Sequence, residues 1–523
     1  MARRAGDEAA ARRAFEAAAG HYREALSHGP VPPDEALELL RTLAECEAQG
    51  GHSESSADAY GRAIELAPAA ERPELQIAQI DQLLRGGRVG PALEHGVDAL
   101  RQLGLSVPRS PTGALVSLVF RRALVLLRGL RWRPRAEAEV APEVLRKLDL
   151  LGSLAVGIGV IDHIRGADFN ARYLLRALRF GEPGRVARAI MQEGAFRAAQ
   201  GDPERGIELV QHAIGLLRGV QDPSLHTLGA MCLGVCRYYG CHFSTSVRAL
   251  AEAEASFSDH ARGHQRRELT VLRQLLLFAL MHYGDMTQLL RRLRAYTDEG
   301  ERRGDLFALG GLRGRAVIGY LAEDDVAEAQ RNAELTLQGW PVGPFYAQHW
   351  CSLGGRADVA LYCGDFEEAG RLLEGQHKAL SRSMLLQVPL VDIEYAHLRG
   401  RVAVLRAASG KDDRARAMAE SCARRCESHR IDFGRALGRL LRASLARQAG
   451  DDVRAANLLG EAQIYFESTG ALIWSTASMS ALGGLVGGDE GAALRAESER
   501  RYRQHGVKNL TRMTAALVPG LCP

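Results

Sequence analysis

The chain has 523 residues, of which 46% are hydrophobic and 25% are charged, values that are ordinary for a folded protein and exclude disorder over most of its length. Ala, Leu and Arg dominate while Val, Ile, Thr and Tyr are sparse, which excludes an all-β fold. The formal net charge of +4 is too small for this length to indicate a nucleic-acid partner.

The N-terminus does not have the pattern of a secretory signal. Charged residues occur throughout Met1 to Phe15, and no apolar stretch follows them. The nine cysteines are few and odd in number, which is not typical of a disulfide framework. We therefore expect a cytoplasmic protein.

A repeat is visible near the N-terminus at an offset of 38 residues. The residues that recur are Tyr22, Ala25, Leu26 and Pro30, which match Tyr60, Ala63, Ile64 and Pro68. This pattern resembles the second helix of a tetratricopeptide repeat (TPR), in which small alanines let adjacent helices approach closely. The first 103 residues are therefore predicted to be TPR-like repeats.

The first repeat is predicted to be incomplete. Glu8 to Leu26 can form one helix, equivalent to the second helix of a repeat, and too few residues precede it for a first-helix partner. A solenoid normally begins with a capping element. We therefore expect the chain to begin inside a repeat, as a fragment or the C-terminal part of a larger protein.

Residues 104–141 interrupt the repeats. Prolines in 104–112 predict a linker, 132–141 predicts a second loop, and Ala114 to Trp132 between them predicts one helix. The stretch from Ala114 to Arg135 contains six arginines and no acidic residue: Arg121, Arg122, Arg128, Arg131, Arg133 and Arg135. One interpretation is a surface for anionic lipid or an acidic partner. We favour the other, a buried solenoid helix whose arginines extend to one solvated face, and we expect no membrane partner.

Helix–turn–helix periodicity continues through 142–523. Turns beginning at Gly201 recur at spacings of 39, 44, 40, 40, 46 and 40 residues, and Asp324-Asp325 replaces glycine at one of them. Gly ends a helix and a following Asp caps the next one. The whole chain is predicted to be all-α, an α-α superhelix of about eleven TPR-like helix pairs. Because such repeats contact only their neighbours, we also expect an elongated body.

We find no catalytic motif in context, which predicts a protein that is not an enzyme and has no cofactor. A phosphate-binding P-loop, a dinucleotide-binding glycine pattern and a HExxH metal motif are all missing from the sequence. Two Cys/His groups have a superficial likeness to zinc ligands: Cys422, Cys426 and His429, and Cys232, Cys236, Cys241 and His242. Structural zinc usually takes CxxC pairs on loops, so we interpret these residues as packing rather than metal ligands.

Aromatic side chains concentrate at one corner between two predicted helices. They are Trp340, Phe345, Tyr346, His349 and Trp350, with Pro341 and Pro344 between the helices. Trp and Tyr are favoured in recognition sites, so these five residues are the candidate partner-binding site. The alternative is that the rings fill an irregular junction between repeats.

Three segments together resemble the C-terminal helical region of large bacterial serine/threonine kinases that are fused to an ATPase module and TPR-like repeats. These segments are Asp168 to Pro183 with Arg185 to Ala189, Trp340 to Trp350, and Gly506 to Asn509 with Arg512-Met513 and Pro519-Gly520. The resemblance implies a regulatory arm next to a kinase–ATPase core. The motifs of those catalytic domains do not occur in this sequence, so no catalytic residue is implied here.

The function predicted from these observations is a non-catalytic scaffold or sensor arm in bacterial signalling. It would bind a protein or peptide on its concave face, and an attached or separately encoded kinase–ATPase module would be a further partner. The alternative is the helical-repeat arm of an ATPase-type transcription regulator that lacks its DNA-binding end. The predicted division is 1–103, 104–141 and 142–523.

Overall fold

The computed structural model of the chain describes residues 1–108, 111–159, 162–218, 220, 222–257, 264–340, 343–410 and 413–521. Within those ranges the regular structure is entirely helical. The first thirteen α-helices are α1 (Ala2–Ala11), α2 (Phe15–Ser27), α3 (Pro33–Gln49), α4 (Ser53–Leu66), α5 (Arg72–Arg85), α6 (Val89–Gln102), α7 (Pro111–Arg128), α8 (Pro142–Gly159), α9 (His163–Phe180), α10 (Pro183–Ala199), α11 (Pro203–Leu216), α12 (Pro223–Tyr239) and α13 (Phe243–Phe257).

The helices continue in the same style to the C-terminal end of the described chain. They are α14 (His264–Tyr283), α15 (Met286–Arg302), α16 (Leu306–Leu312), α17 (Ile318–Ala322), α18 (Val326–Leu335), α19 (Ala347–Tyr362), α20 (Phe366–Arg382), α21 (Pro389–Ser409), α22 (Asp413–Ser428), α23 (Asp432–Gln448), α24 (Asp452–Thr469), α25 (Leu472–Val486), α26 (Gly488–Gln504) and α27 (Leu510–Leu517). Successive helices pack together in pairs along the chain, and α16 and α17 act as one interrupted helix. The predicted all-α, TPR-like α-α superhelix is confirmed.

The predicted turns explain why the helices begin where they do. Five aspartates accept a hydrogen bond from the backbone N–H three residues further along, as N-caps do: Asp202, Asp285, Asp325, Asp365 and Asp451. Asp324 has a φ of 60°, so it takes the left-handed conformation that Gly284 and Gly364 supply at the turns on either side. The interpretation of Asp324-Asp325 as a substitute for a Gly–Asp turn is confirmed.

The N-terminal prediction is wrong in one respect. Glu8 to Leu26 is not a single helix, because the chain reverses at Arg13, whose φ is 58°, and α1 folds back on α2. Gly6 permits this approach, since a Cβ there would lie 2.8 Å from Cε1 of Tyr22. The Tyr22 hydroxyl donates a hydrogen bond to Asp7 over 2.7 Å. Helix α1 therefore pairs with α2 as the first helix of the repeat, contrary to our expectation that this first helix would be missing.

Helix α7 contradicts our interpretation of the basic segment. Its arginines do not all extend to solvent: Arg121 Nε lies 3.5 Å from Asp168, and Arg122 Nη1 lies 2.6 Å from Glu193. Ser117 also donates to Asp168 over 2.7 Å. The polar side of α7 therefore packs on α9 and α10, and its apolar side is left exposed. The reason is that the carboxylates of Asp168 and Glu193, which are buried, need cationic partners.

Contacts across turns of the superhelix correct the expectation that repeats touch only their neighbours. Arg267 on α14 pairs with Asp81 on α5, and Met286 N–H donates to the His505 carbonyl over 3.1 Å. Arg512 near the C-terminus lies 3.1 Å from Asp324. Ion pairs and a backbone hydrogen bond thus connect helices that are far apart in sequence.

The predicted boundaries of the three-part division fall between helices, because α6 ends at Gln102 and α8 begins at Pro142. The hydrophobic core nevertheless crosses them. Gly96 on α6 lies against Leu154 on α8, where an added Cβ would be 3.1 Å from Cδ2. The division into 1–103, 104–141 and 142–523 stays a prediction.

Candidate functional site

Helices from the middle part of the chain line a cavity of about 250 Å³, which we call the central cavity. Side chains from α8, α9, α10, α12, α14, α19 and α21 line it, so helices that are far apart in sequence converge on one space. Most of the wall is apolar and includes Phe196, Met231, Val235, Leu275 and Phe278. A space of this kind accommodates apolar side chains of a ligand.

Two polar atoms in the wall lack a partner among the described residues. They are Oδ1 of Asn170 and Oε1 of Gln192, both buried. The amide nitrogens of the same side chains are engaged: Asn170 donates to Glu193 over 3.0 Å, and Gln192 donates to the Gly152 carbonyl over 3.4 Å. These bonds fix the orientation of both amides, so each carbonyl oxygen is left as a buried acceptor without a donor. Burying such an acceptor costs free energy, which a ligand N–H or O–H would recover.

Two residues at the base of the cavity, Arg315 and Glu394, belong to a buried ion-pair network. Arg315 donates to Asp358 over 2.9 Å, and its second terminal nitrogen lies 3.3 Å from Glu394. His282 Nε2 lies 2.8 Å from the same Glu394 oxygen, and Arg401 donates to Asp358 over 2.6 Å. Two cationic and two anionic side chains therefore neutralise each other in a buried position.

The charges at the base are fixed by their neighbours. Burial by itself would raise the pKa of Glu394, but Arg315 and His282 outweigh it and hold that pKa below its ordinary value. Burial by itself would lower the pKa of Arg315, but Glu394 and Asp358 outweigh it and raise that pKa. Both groups therefore stay ionised, and because they are paired with each other, the base of the cavity is polar but carries no unpaired charge.

Four of the five predicted site residues form one cluster beside the cavity. The ring centroids of Trp340 and Tyr346 are 6.5 Å apart, as are those of Trp340 and His349, and Phe345 lies 5.3 Å from His349. His349 Nδ1 accepts a hydrogen bond from the backbone N–H of Tyr346 over 3.1 Å, which fixes the start of α19. Trp340 Nε1 is buried and has no partner among the described residues.

Trp350 points away from that cluster. It is only 5% exposed, and its ring packs edge-on against Tyr395 at 6.1 Å and beneath the guanidinium of Arg315 at 5.5 Å. Trp350 thus belongs to the cavity wall and its base. Pro344 is exposed, and Pro341 lies outside the described residues. Partner binding by the aromatic corner stays a prediction.

The polar residues of the cavity could not be identified from the sequence. Asn170, Gln192, Arg315 and Glu394 come from four separate segments and form no motif. What the four share is a buried position, where a polar side chain would be unexpected unless it has a partner or a ligand.

The cysteines of the two Cys/His groups are buried between helices. Cys426 Sγ donates to the Ile393 carbonyl over 3.6 Å, and His429 Nε2 lies 2.7 Å from Asp392. Burial raises the pKa of Cys236 to about 12, so that thiol is protonated. Over the described ranges, the histidines, cysteines and carboxylates form no group of three or more that could hold a metal ion.

No protein-family model matches the chain, and no curated protein matches it. Solved structures with similar backbones include the following three. They are a Rap protein complexed with Competence and Sporulation Factor (11% identity, TM-score 0.41, 83% of this chain and 99% of that one), the APC/C hetero-tetramer Cut9–Hcn1 (12%, 0.44, 99% and 88%) and yeast Tom70 (11%, 0.33, 91% and 94%). At identities this low, the likeness concerns the fold alone. Among the described helices, none is long and apolar enough to cross a bilayer.

Proposed function

We propose that this chain is a non-catalytic scaffold that binds an extended segment of a partner protein in its central cavity. TPR-like superhelices typically act in protein–protein interaction, and their inner surface is extended and concave. Helices from several repeats converge on the cavity, which supports placing recognition on that inner side. The proposal therefore assigns recognition to the inside of the superhelix.

The observation that carries the proposal is the pair of buried acceptors in an apolar wall. A peptide offers apolar side chains together with backbone N–H groups, and these match the wall and the free oxygens of Asn170 and Gln192. A purely hydrocarbon ligand would leave both oxygens without a donor, which is unfavourable. An extended peptide therefore fits the cavity better than an apolar small molecule.

The wider role that we propose is regulation in bacterial signalling. Its support is the likeness of three segments, around Asp168–Pro183, Trp340–Trp350 and Gly506–Asn509, to the helical region of serine/threonine kinase–ATPase proteins. In that setting the peptide would come from an attached or separately encoded kinase–ATPase module, or from a protein that the module senses. The aromatic corner would then be part of the same binding surface, beside the mouth of the cavity.

The test is a peptide library displayed on phage and panned against the purified chain. Ala195 lies in the cavity wall, so Ala195→Trp should fill the cavity and remove the binding of the selected peptides. Ala417→Trp, on the exposed side of α22, is the matched control and should retain that binding. Equal binding by both variants would place recognition elsewhere and refute the cavity proposal.

A further inference from the structure

Helix α7 presents a stripe of large apolar side chains to solvent. Val116 is 71% exposed, Val119 63%, Phe120 60% and Leu127 85%. Their spacing of three, four and seven residues puts them on one side of the helix. Isolated exposed apolar residues are ordinary, but a continuous stripe on one helix marks a surface that is normally covered.

A basic cavity of about 520 Å³ opens beside the C-terminal end of that stripe. Helices α7, α8 and α9 supply its four charged side chains, which are Arg128, Lys147, Arg176 and Arg179. Its remaining wall is mainly apolar and includes Leu124, Leu148, Leu175 and Phe180. Among the residues that line it there is no carboxylate.

The four positive charges of the basic cavity are not neutralised within the described chain. Ion pairs nearby go to other side chains: Asp168 is bound by Arg121 and Arg172, and these two arginines add to the positive charge around α9. The pKa of Arg176 is lowered by burial and by the neighbouring Arg121, Arg172 and Arg179. Positive charge therefore accumulates here at a cost in free energy, which an anion would offset.

We propose that α7 and the basic cavity dock this protein on an anionic phospholipid bilayer. The phosphate of one lipid headgroup occupies the cavity between Arg128, Lys147, Arg176 and Arg179, and the apolar walls contact the adjoining part of the lipid. Val119, Phe120 and Leu127 insert among the acyl chains. The attachment is peripheral, because α7 lies on the surface and does not span the membrane.

The shape of the surface favours a bilayer over an acidic protein. The stripe is the convex side of a single helix that is supported mainly by α9, so it projects outward and forms no groove for a partner helix. Arg131, Arg133 and Arg135 continue the positive surface beyond α7 and are exposed. Apolar insertion combined with basic residues that face headgroups is how interfacial helices bind anionic membranes.

The experiment measures co-sedimentation of the full chain with vesicles. Vesicles of equal parts phosphatidylglycerol and phosphatidylcholine should bind it, vesicles of phosphatidylcholine alone should not, and binding should weaken as salt is added. Arg176→Gln combined with Arg179→Gln should weaken binding about 30-fold, from the usual contribution of a basic residue near an anionic surface. Val119→Ser combined with Phe120→Ser and Leu127→Ser should weaken it at least about tenfold.

Matched control variants keep the result specific. Arg382→Gln with Arg416→Gln removes two exposed arginines from α20 and α22, and Val453→Ser with Ile464→Ser removes two exposed apolar side chains from α24. Both should bind vesicles as the unaltered chain does. All substituted side chains of the stripe are exposed, so circular dichroism melts should be unchanged.

Three outcomes would overturn the proposal. One is equal sedimentation with both kinds of vesicle or with neither. Another is binding of soluble glycerol phosphate or inorganic phosphate, lost in the Arg176→Gln and Arg179→Gln variant, without any binding to vesicles; that result would identify a free anion as the ligand. The last is a dimer that the stripe substitutions dissociate in the absence of vesicle binding, which would identify a second copy of the chain as the occupant.

Discussion

The guanidinium of Arg315 donates a hydrogen bond to Asp358 over 2.9 Å at the base of the central cavity. Arg315 precedes α17 and Asp358 lies in α19, so the bond connects consecutive repeats under the site where we place the ligand. The pair is part of a buried network of charges, and Arg315 also contacts the ring of Trp350. We therefore expect substitutions of Arg315 and of Trp350 to lower the stability of the protein.

Replacing Arg315 should destabilise the protein strongly. Arg315→Met leaves Asp358 with Arg401 alone and Glu394 with His282 alone, and a buried charge that loses its partner typically costs about 3–5 kcal/mol. Urea denaturation at neutral pH measures the loss. Arg406→Met, which breaks exposed pairs with Glu367 and Glu374, is the control and should cost less than about 1 kcal/mol. A similar small loss for both variants would show that the network adds little.

The aromatic corner predicts different behaviour for its two tryptophans. Trp350→Ala should lower the free energy of unfolding by about 3–5 kcal/mol, because the ring is buried against Tyr395 and Arg315. Trp340→Ala should cost less, because Trp340 is only half-buried and its Nε1 forms no hydrogen bond among the described residues. Denaturant midpoints of the two variants decide this. If neither midpoint moves, packing is not the role of these rings and the corner becomes the first place to search for a ligand.

Replacing Gln192 should raise the stability of the free protein and weaken its binding of peptides. Gln192→Leu keeps the side chain's size, removes an acceptor that has no donor and gives up only the long 3.4 Å hydrogen bond to the Gly152 carbonyl, so the free protein should gain up to about 1 kcal/mol of stability. Peptides selected by the cavity should bind the variant more weakly, because one of their N–H groups loses its acceptor. Thermal melts and peptide titrations measure the two effects. A variant that is less stable and binds equally well would contradict the role given to this oxygen.

Acid should weaken the fold through His397. The ring is 3% exposed and packs edge-on against Trp474 at 5.2 Å, and burial, followed by the charge of Arg401, lowers the pKa of His397 well below its ordinary 6.5. The unfolded chain therefore takes up a proton near pH 6.5 that the folded chain does not. Stability is fully present above that pH and falls as the pH drops towards 5, by up to about 1.4 kcal/mol per unit.

The variant His397→Phe tests that slope. It should flatten the dependence of the unfolding free energy on pH between 6.5 and 5, measured by urea denaturation at several pH values. Some slope should remain, because burial also lowers the pKa of His349 and of His505. A slope in the variant equal to that of the original chain would show that His397 takes up its proton in the folded state as readily as in the unfolded one.

Local sequence was sufficient for the helices and turns, and insufficient wherever distant residues decide the outcome. Asp202 and Asp325 cap helices through bonds to residues three positions away, so their role could be predicted from the chain itself. The orientation of α7 could not, because Asp168 and Glu193 determine which side of it turns inward. The reversal at Arg13 was missed since no Gly or Pro marks it.

For the candidate site as well, local sequence could predict some features and not others. The clustering of Trp340, Phe345 and His349 was foreseeable, because these residues are close in sequence. The cavity with Asn170 and Gln192 was not, because helices from many repeats have to converge before its acceptors face one space. Trp350 was assigned to the corner by proximity alone, whereas its position on α19 turns it towards Arg315.

The contact between Arg512 and Asp324 spans 188 residues of chain. During synthesis, the early helix pairs can stack as they leave the ribosome, because each needs only its neighbour. The turn that contains Asp324 can bind Arg512 only after Arg512 has been synthesised, and closing a loop of that length is slow. A nascent chain that stalls before Arg512 would therefore present Asp324 without the guanidinium that pairs with it in the folded protein.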